Sequence, residues 1–259
     1  MHNAAFAALG LNWRYVACEV APQNLRAAIA GAHALGFAGL NLTVPHKLLA
    51  MAMVDALDAS AQQWGAVNTI RFEAQGTTGF NTDADGITAS LREDLGVSLP
   101  GSRVLLLGAG GAGRTAALKL ASENVAELFL VNRTQSRAAE IAAEIRRQFP
   151  SVKVVAAYPQ GPVDLLVNAT SLGLKPGDAS PLDERSFPLA QACAVYDMIY
   201  RPAETPLLAA ARAAGCRTAN GLGMLLHQGA RAFAIWTGQT PPLAVMRRAL
   251  EENIYGPPS

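Results

Sequence analysis

Apolar and polar positions along this chain switch between a period near 3.6 and a period of 2, and the order of the switches predicts alternating helices and strands. The first third reads as an Ala-rich helix from about Asn3, a strand from Tyr15 to Val20, a helix from Pro22 to Leu35 and a short strand from Gly39 to Thr43. Pro45 then breaks the chain ahead of a helix through Leu49 to Leu57. Two β-rich runs, Ala66 to Phe72 and Thr78 to Asn81, predict a hairpin around Gly76. A helix is expected from Asp85 to Leu95, followed by a punctuating stretch, Gly96 to Ser102, that holds Pro100 and Gly101.

The middle of the chain repeats strand, helix, strand, helix: Arg103 to Leu107, Arg114 to Ser122, Glu127 to Val131 and Arg137 to Gln148. Further strands are expected at Val152 to Ala156, Leu165 to Asn168 and Ala194 to Asp197, then an amphipathic helix from near Thr205 and only helix after Asn220. This rhythm predicts an α/β protein with a doubly wound parallel sheet.

One junction in that sheet carries chemistry. Gly108-Ala109-Gly110-Gly111-Ala112-Gly113 follows an apolar strand and opens a helix, the context in which a G-x-G-x-x-G run binds a dinucleotide. Gly108 permits the tight turn, Gly110 lets backbone approach a pyrophosphate, and Gly113 packs helix on strand, with the helix N-terminus facing the anion. NAD-binding versions place an acid after the second strand to hold the ribose hydroxyls. Here the chain reads Asn132-Arg133-Thr134-Gln135-Ser136-Arg137, with two guanidiniums spaced to close on one phosphate. That favours a 2′-phosphate, hence NADP, in a Rossmann-type lobe.

Composition narrows the partners. Lys plus Arg number 21 against 20 Asp plus Glu, so no global field draws the chain to nucleic acid or to a membrane surface, and a small molecule fits better. Three cysteines without CxxC spacing indicate neither a disulfide framework nor a zinc site. No basic leader and no spanning apolar run is present, and the expectation is a cytoplasmic enzyme.

A second constellation lies in the first third. Asn41-Leu42-Thr43-Val44-Pro45-His46-Lys47 leaves a strand with a hydroxyl and an ammonium close together, where α/β sheets bind ligands. Ala66-Val67-Asn68-Thr69 and Asn81-Thr82-Asp83 add a carboxamide and a carboxylate. Singly, Asn68 reads equally well as a turn-satisfying side chain or a ligand, and Asp83 as a helix cap. His46 and His227 read as surface or packing residues, His46 alternatively as a proton relay. Trp64, Phe233 and Trp236 read as core.

The segments NLTVPHK, GAVNT, NTDADG, GAGGAG, NRTQSR, VNATSLG, YDMIYRPAETPLL and NGLGMLLHQGARAFAIWTG follow the order and spacing of the shikimate dehydrogenase family, which the chain resembles over nearly all its length. The resemblance implies Lys47 and Asp83 as the catalytic pair. It places Thr43, Asn68, Tyr200 and Gln228 on the substrate, and Gly108, Ala109, Gly110, Gly111, Ala112, Gly113, Asn132, Arg133, Thr134, Arg137, Thr170, Met198 and Gly221 on the cofactor. It implies reversible NADPH-dependent reduction of 3-dehydroshikimate to shikimate, with substrate between two α/β lobes, in a monomer or homodimer. Residues 1–84 would form the substrate lobe, 85–219 the NADP lobe, and 220–259 helices that return to the first lobe.

The family also carries, ahead of the stretch resembling Met1-His2-Asn3, a strand and a Ser-x-Ser-Pro segment whose hydroxyls hold the substrate carboxylate. The expectation is therefore that Met1 is an internal methionine of a longer chain, and that the polypeptide as written turns over poorly for want of that strand. Quinate and aminoshikimate stay open as substrates, and a catalytically impaired NADP-binding protein is the reading from another class. Folate dehydrogenases and glutamyl-tRNA reductases share a similar nucleotide lobe but do not suit NLTVPHK and NTDADG.

Overall fold

The structure, a computed structural model, describes residues 1–256. It divides into two compact units, Met1–Gly86 together with the chain from Leu226 on, and Ile87–Leu225. The chain passes between them inside two helices, α5 and α9 in the order below.

The first unit contains α1 (His2–Ala8), α2 (Leu25–Ala34), β1 (Gly39–Asn41), the single turn α3 (His46–Leu49), β2 (Ala56–Leu57), α4 (Ala59–Trp64), β3 (Thr69–Glu73), β4 (Gly76–Phe80) and the start of α5 (Asp83–Leu95). Its sheet runs β1-β3-β4-β2, with β1 and β4 antiparallel to β3 and β2 parallel to β4. The expected hairpin is present, Glu73 pairing with Gly76 across the turn. Leu25, Ile29, Val67 and Ile70 are buried between sheet and helices; each such side chain contributes roughly 1.5–3 kcal/mol.

Two expectations fail here and one helix appears unforeseen, each for an identifiable reason. Tyr15 to Val20 forms no strand, because no strand lies alongside it and its residues are half-buried or exposed, Val16 and Cys18 among the exposed. The helix expected through Leu49 to Leu57 stops after α3 and a 3₁₀ turn at Ala50–Ala52, and the chain then enters β2, which pairs with β4. Helix α4 was not foreseen; Asp58 caps it by accepting from the Ser60 N–H at 2.9 Å, and Gly65 ends it in the left-handed conformation.

The second unit contains the rest of α5, β5 (Arg103–Leu107), α6 (Gly111–Ser122), β6 (Glu127–Val131), α7 (Gln135–Gln148), β7 (Lys153–Val155), β8 (Val163–Asn168), β9 (Ala192–Asp197), α8 (Pro206–Ala213), β10 (Arg217–Asn220) and the start of α9 (Leu222–Thr237). Six strands run β10-β9-β8-β5-β6-β7, all parallel. Strand β10 is too polar, Arg-Thr-Ala-Asn, to stand out by pattern, and pairing with β9 supplies its order. Leu105, Leu107, Leu166 and Val195 are buried on one face of this sheet and Leu106, Leu165 and Val167 on the other, as expected of strands covered on both faces. Helix α10 (Leu243–Tyr255) belongs to the first unit and packs on α1. Among the described residues no helix is long and apolar enough to cross a membrane.

Candidate active site

In the first unit, three stretches distant in sequence converge on one ion pair. Lys47, on the turn that follows β1, donates from Nζ to Asp83 Oδ2 at 2.7 Å. Both groups retain solvent access, 28% for the lysine side chain and 14% for the aspartate, so a ligand can reach them. The carbonyl of Lys47 accepts the Val67 N–H at 2.9 Å, tying the lysine turn to the GAVNT stretch.

Asn68 in that stretch is buried and fully used. Its Nδ2 donates to Asp83 Oδ1 and to the Thr82 hydroxyl, each at 2.9 Å. Its Oδ1 accepts the Thr82 N–H at 2.8 Å and the Thr69 hydroxyl at 3.0 Å. One oxygen of Asp83 is thus held by Asn68 and the other by Lys47. The capping alternative for Asp83 does not hold, because Asn81 takes that role. Its Oδ1 accepts the N–H groups of Asp83 at 3.1 Å and Ala84 at 3.3 Å, so α5 begins at Asp83 with the carboxylate left for Lys47.

Behind this pair lies a polar chain that sequence reasoning missed. The Tyr15 hydroxyl donates to Asn41 Oδ1 at 3.0 Å, and Asn41 Nδ2 donates to the Thr69 hydroxyl at 3.0 Å. Burial raises the Tyr15 pKa, keeping that hydroxyl a donor. The His2 ring stacks on Tyr15 at 4.3 Å and its Nε2 lies 3.1 Å from the Gly229 carbonyl oxygen; burial pulls its pKa down to about 4. The available signal was the Asn41 carboxamide inside a predicted strand, a group that needs partners once buried.

The remaining substrate candidates distribute unevenly. Thr43 is exposed between β1 and α3, and its carbonyl accepts the His46 N–H at 2.8 Å. Gln228 is half-buried on α9 in the same unit, whereas Tyr200 is exposed in the second unit, after β9. His46 is half-buried, with no hydrogen-bond partner for its buried Nδ1. Trp64 and Phe233 are core, and Trp236 is partly buried with its indole N–H on the Ile70 carbonyl at 2.9 Å.

In the second unit the glycine run bends as its residues require. Gly108 holds φ of +105°, and a Cβ on Gly113 would collide with the Gly108 carbonyl oxygen. A Cβ at Gly110 would meet nothing within 4 Å, so the loop faces open space there. Helix α6 starts at Gly111 rather than at the expected Arg114, with no side chain capping its first N–H groups, so they are available to an anion. Asn132 Oδ1 accepts the Ala109 N–H at 3.1 Å and Asn132 Nδ2 donates to the Thr134 carbonyl at 2.8 Å, joining the glycine run to the arginine loop. Arg133, Thr134 and Arg137 are exposed, and no acid pairs with either arginine among the described residues. Thr170, Met198 and Gly221 directly follow or lie two residues beyond the ends of β8, β9 and β10. These groups fit a phosphorylated dinucleotide.

The described chain matches three family models: the shikimate dehydrogenase substrate binding domain over residues 1–70, the shikimate / quinate 5-dehydrogenase model over 90–171, and the shikimate 5′-dehydrogenase C-terminal domain over 221–251. It is 46% identical to the shikimate dehydrogenase (NADP(+)) of Moorella thermoacetica, over 97% of this chain and 87% of the relative. The chain belongs to the shikimate dehydrogenase family. Among solved structures, the family's Thermus thermophilus shikimate 5-dehydrogenase in complex with NADP(H) and shikimate superposes with a TM-score of 0.86 at 37% identity, covering 97% of this chain and 92% of that one. A 5-ketofructose reductase from Gluconobacter sp. strain CHM43, ligand-free, superposes with a TM-score of 0.85 at 37% identity, covering 97% and 91%. Chains named as a shikimate dehydrogenase and as a 5-ketofructose reductase therefore share this fold.

Proposed function

We propose that this protein catalyses the reversible NADPH-dependent reduction of 3-dehydroshikimate to shikimate. The observation that carries the reading is the 2.7 Å pair of Lys47 and Asp83 in the unit matching the substrate-binding model. Lys47 and Asp83 are the catalytic groups. The cofactor, when bound, supplies the hydride to the carbonyl carbon or takes it from the alcohol. Lys47 polarises the carbonyl oxygen and gives it a proton from Nζ, and in the reverse direction takes the hydroxyl proton back. Asp83 Oδ2 aims the ammonium, and Asn68 holds Asp83 by Oδ1.

Thr43, Gln228 and Tyr200 are the substrate-binding residues. Asn68 has its donors and acceptor committed to Thr69, Thr82 and Asp83, so in this reading it acts through Asp83. The glycine run and Asn132 hold the pyrophosphate end, Arg133, Thr134 and Arg137 the 2′-phosphate, and Thr170, Met198 and Gly221 the nicotinamide end. The enzyme works in the cytoplasm, as a monomer or homodimer. The test is a side-by-side assay of NADP and NAD reduction with shikimate and with quinate. Turnover with shikimate and NADP supports the reading; quinate as the better substrate moves the protein to the quinate branch, and no turnover with either refutes it.

A further inference from the structure

Two parallel strands of the second unit end in polar residues that are wholly buried, and the two are register partners: Asn168 closes β8 and Asp197 closes β9. Asp197 Oδ1 accepts from Asn168 Nδ2 at 3.0 Å and from the Ile199 N–H at 3.1 Å, and Oδ2 accepts the Thr205 hydroxyl at 2.7 Å. Asn168 passes the constraint on. Its Oδ1 accepts both the N–H of Thr170 at 3.0 Å and the Thr170 hydroxyl at 2.8 Å, and its backbone oxygen accepts the Met198 N–H at 2.9 Å.

A carboxylate with no solvent contact is costly unless its oxygens are bonded. Desolvation pushes the Asp197 pKa up, and the Thr205, Ile199 and Asn168 donors oppose it. Thr205 is also the N-cap of α8, so the positive end of that helix lies beside the carboxylate and favours the anion. A buried charge held this way on the open side of a ligand-binding sheet calls for a role beyond packing.

The topology says what sits above it. From β5 the chain runs outward through β6 and β7, then returns to β8 and continues through β9 to β10, so strand order reverses between β5 and β8. A dinucleotide on such a sheet straddles the reversal at the carboxyl ends of the strands. With the 2′-phosphate end at Arg133, after β6, the nicotinamide end belongs over β8 and β9.

We propose that Asp197 is a positioning residue with an electrostatic function: through Asn168 it fixes Thr170 and Met198 beneath the nicotinamide, and its buried charge favours the cationic oxidised ring over the neutral reduced one. The inference rests on the NADP reading above. Asp197→Asn is the discriminating variant because it keeps the shape. Its amide oxygen can accept from Asn168 and Ile199, and its amide nitrogen can donate to the Thr205 hydroxyl, which loses the acceptor of its own proton; that lost bond acts on both cofactor forms alike, and the removed charge does not.

Dissociation constants for NADP⁺ and NADPH, titrated separately without the second substrate, give the readout. Asp197→Asn weakens NADP⁺ about tenfold relative to NADPH, about 1.4 kcal/mol. A structural role weakens both forms alike, so a ratio within twofold of wild type overturns the proposal. Adding Asn168→Asp moves the charge one strand over and restores the ratio to within threefold; failure to restore it overturns the electrostatic assignment. Should Asp197→Asn not fold, the double variant carries the test: a wild-type ratio supports the role and a tenfold change removes it. Wild-type protein that binds neither cofactor form would refute the NADP reading itself, a distinct outcome.

Discussion

Replacing Asn68 with alanine tests whether the Lys47–Asp83 pair depends on the buried carboxamide behind it. The Thr69 and Thr82 hydroxyls lie 3.5 Å apart and can rotate toward one another, so their loss of Asn68 is partly recovered. Two groups are not so placed. The Thr82 N–H, on a residue 1% exposed, loses its 2.8 Å acceptor, and an orphaned buried donor costs about 1–3 kcal/mol. Asp83 Oδ1 loses a charge-assisted bond worth about 1.5–3 kcal/mol, with water able to replace part of it because the side chain is 14% exposed. Together these give a destabilisation of roughly 2–5 kcal/mol. The loss of aim at Asp83 gives a ten- to hundredfold fall in kcat/KM for shikimate, about 1.5–3 kcal/mol of transition-state stabilisation. Urea unfolding measures the first quantity and steady-state kinetics the second, with NADP⁺ affinity as the control that stays constant. A variant within about 1 kcal/mol of wild-type stability and with unchanged kcat/KM would refute the reasoning.

Lys47→Met is expected to lower kcat by roughly 10²–10⁴ while NADP⁺ still binds, because the ammonium acts on the reacting oxygen; single-turnover kinetics beside a cofactor titration separate the two effects. Arg133→Asp is expected to raise the KM for NADP about ten- to a hundredfold and to improve NAD, since it replaces a phosphate donor by the acid that holds ribose hydroxyls; unchanged NADP KM excludes the clamp. Stability should also depend on pH through His2. His2 is neutral in the folded protein down to about pH 4 but protonates near 6.5 when unfolded, so the unfolded chain takes the proton first and stability falls as pH drops from 6.5 toward 4. The loss is roughly 3 kcal/mol, fully present below 4. Denaturant unfolding of wild type and His2→Gln at pH 7 and pH 4 checks it: the wild type is expected to lose that much more than the variant.

What the chain's own pattern determined was the part of the protein built from local, periodic segments. Strands β5, β6, β8 and β9 are apolar runs buried on both faces and bounded by turn residues, so period and length alone locate them. The glycine run was legible for the same reason. Gly108 and Gly113 answer steric demands, a positive φ and a collision with a carbonyl oxygen, that arise within six residues of chain. Lys47, Asn68 and Asp83 were legible only as polar interruptions, and a resemblance gave them roles.

Tertiary structure decided everything that depends on a partner far along the chain. Tyr15 to Val20 has strand composition and no strand beside it, whereas the polar Arg217–Asn220 becomes a strand because β9 offers a free edge. Whether Asp83 caps a helix or holds a lysine turned on where Asn81 points, and the chain linking Asp197, Asn168 and Thr170 exists only because β8 and β9 pair in one register. A hydrogen bond needs its partner within about 3 Å and correctly aimed. Sequence spacing bounds that distance for neighbours and leaves it free for residues 29 apart, as Asn168 and Asp197 are.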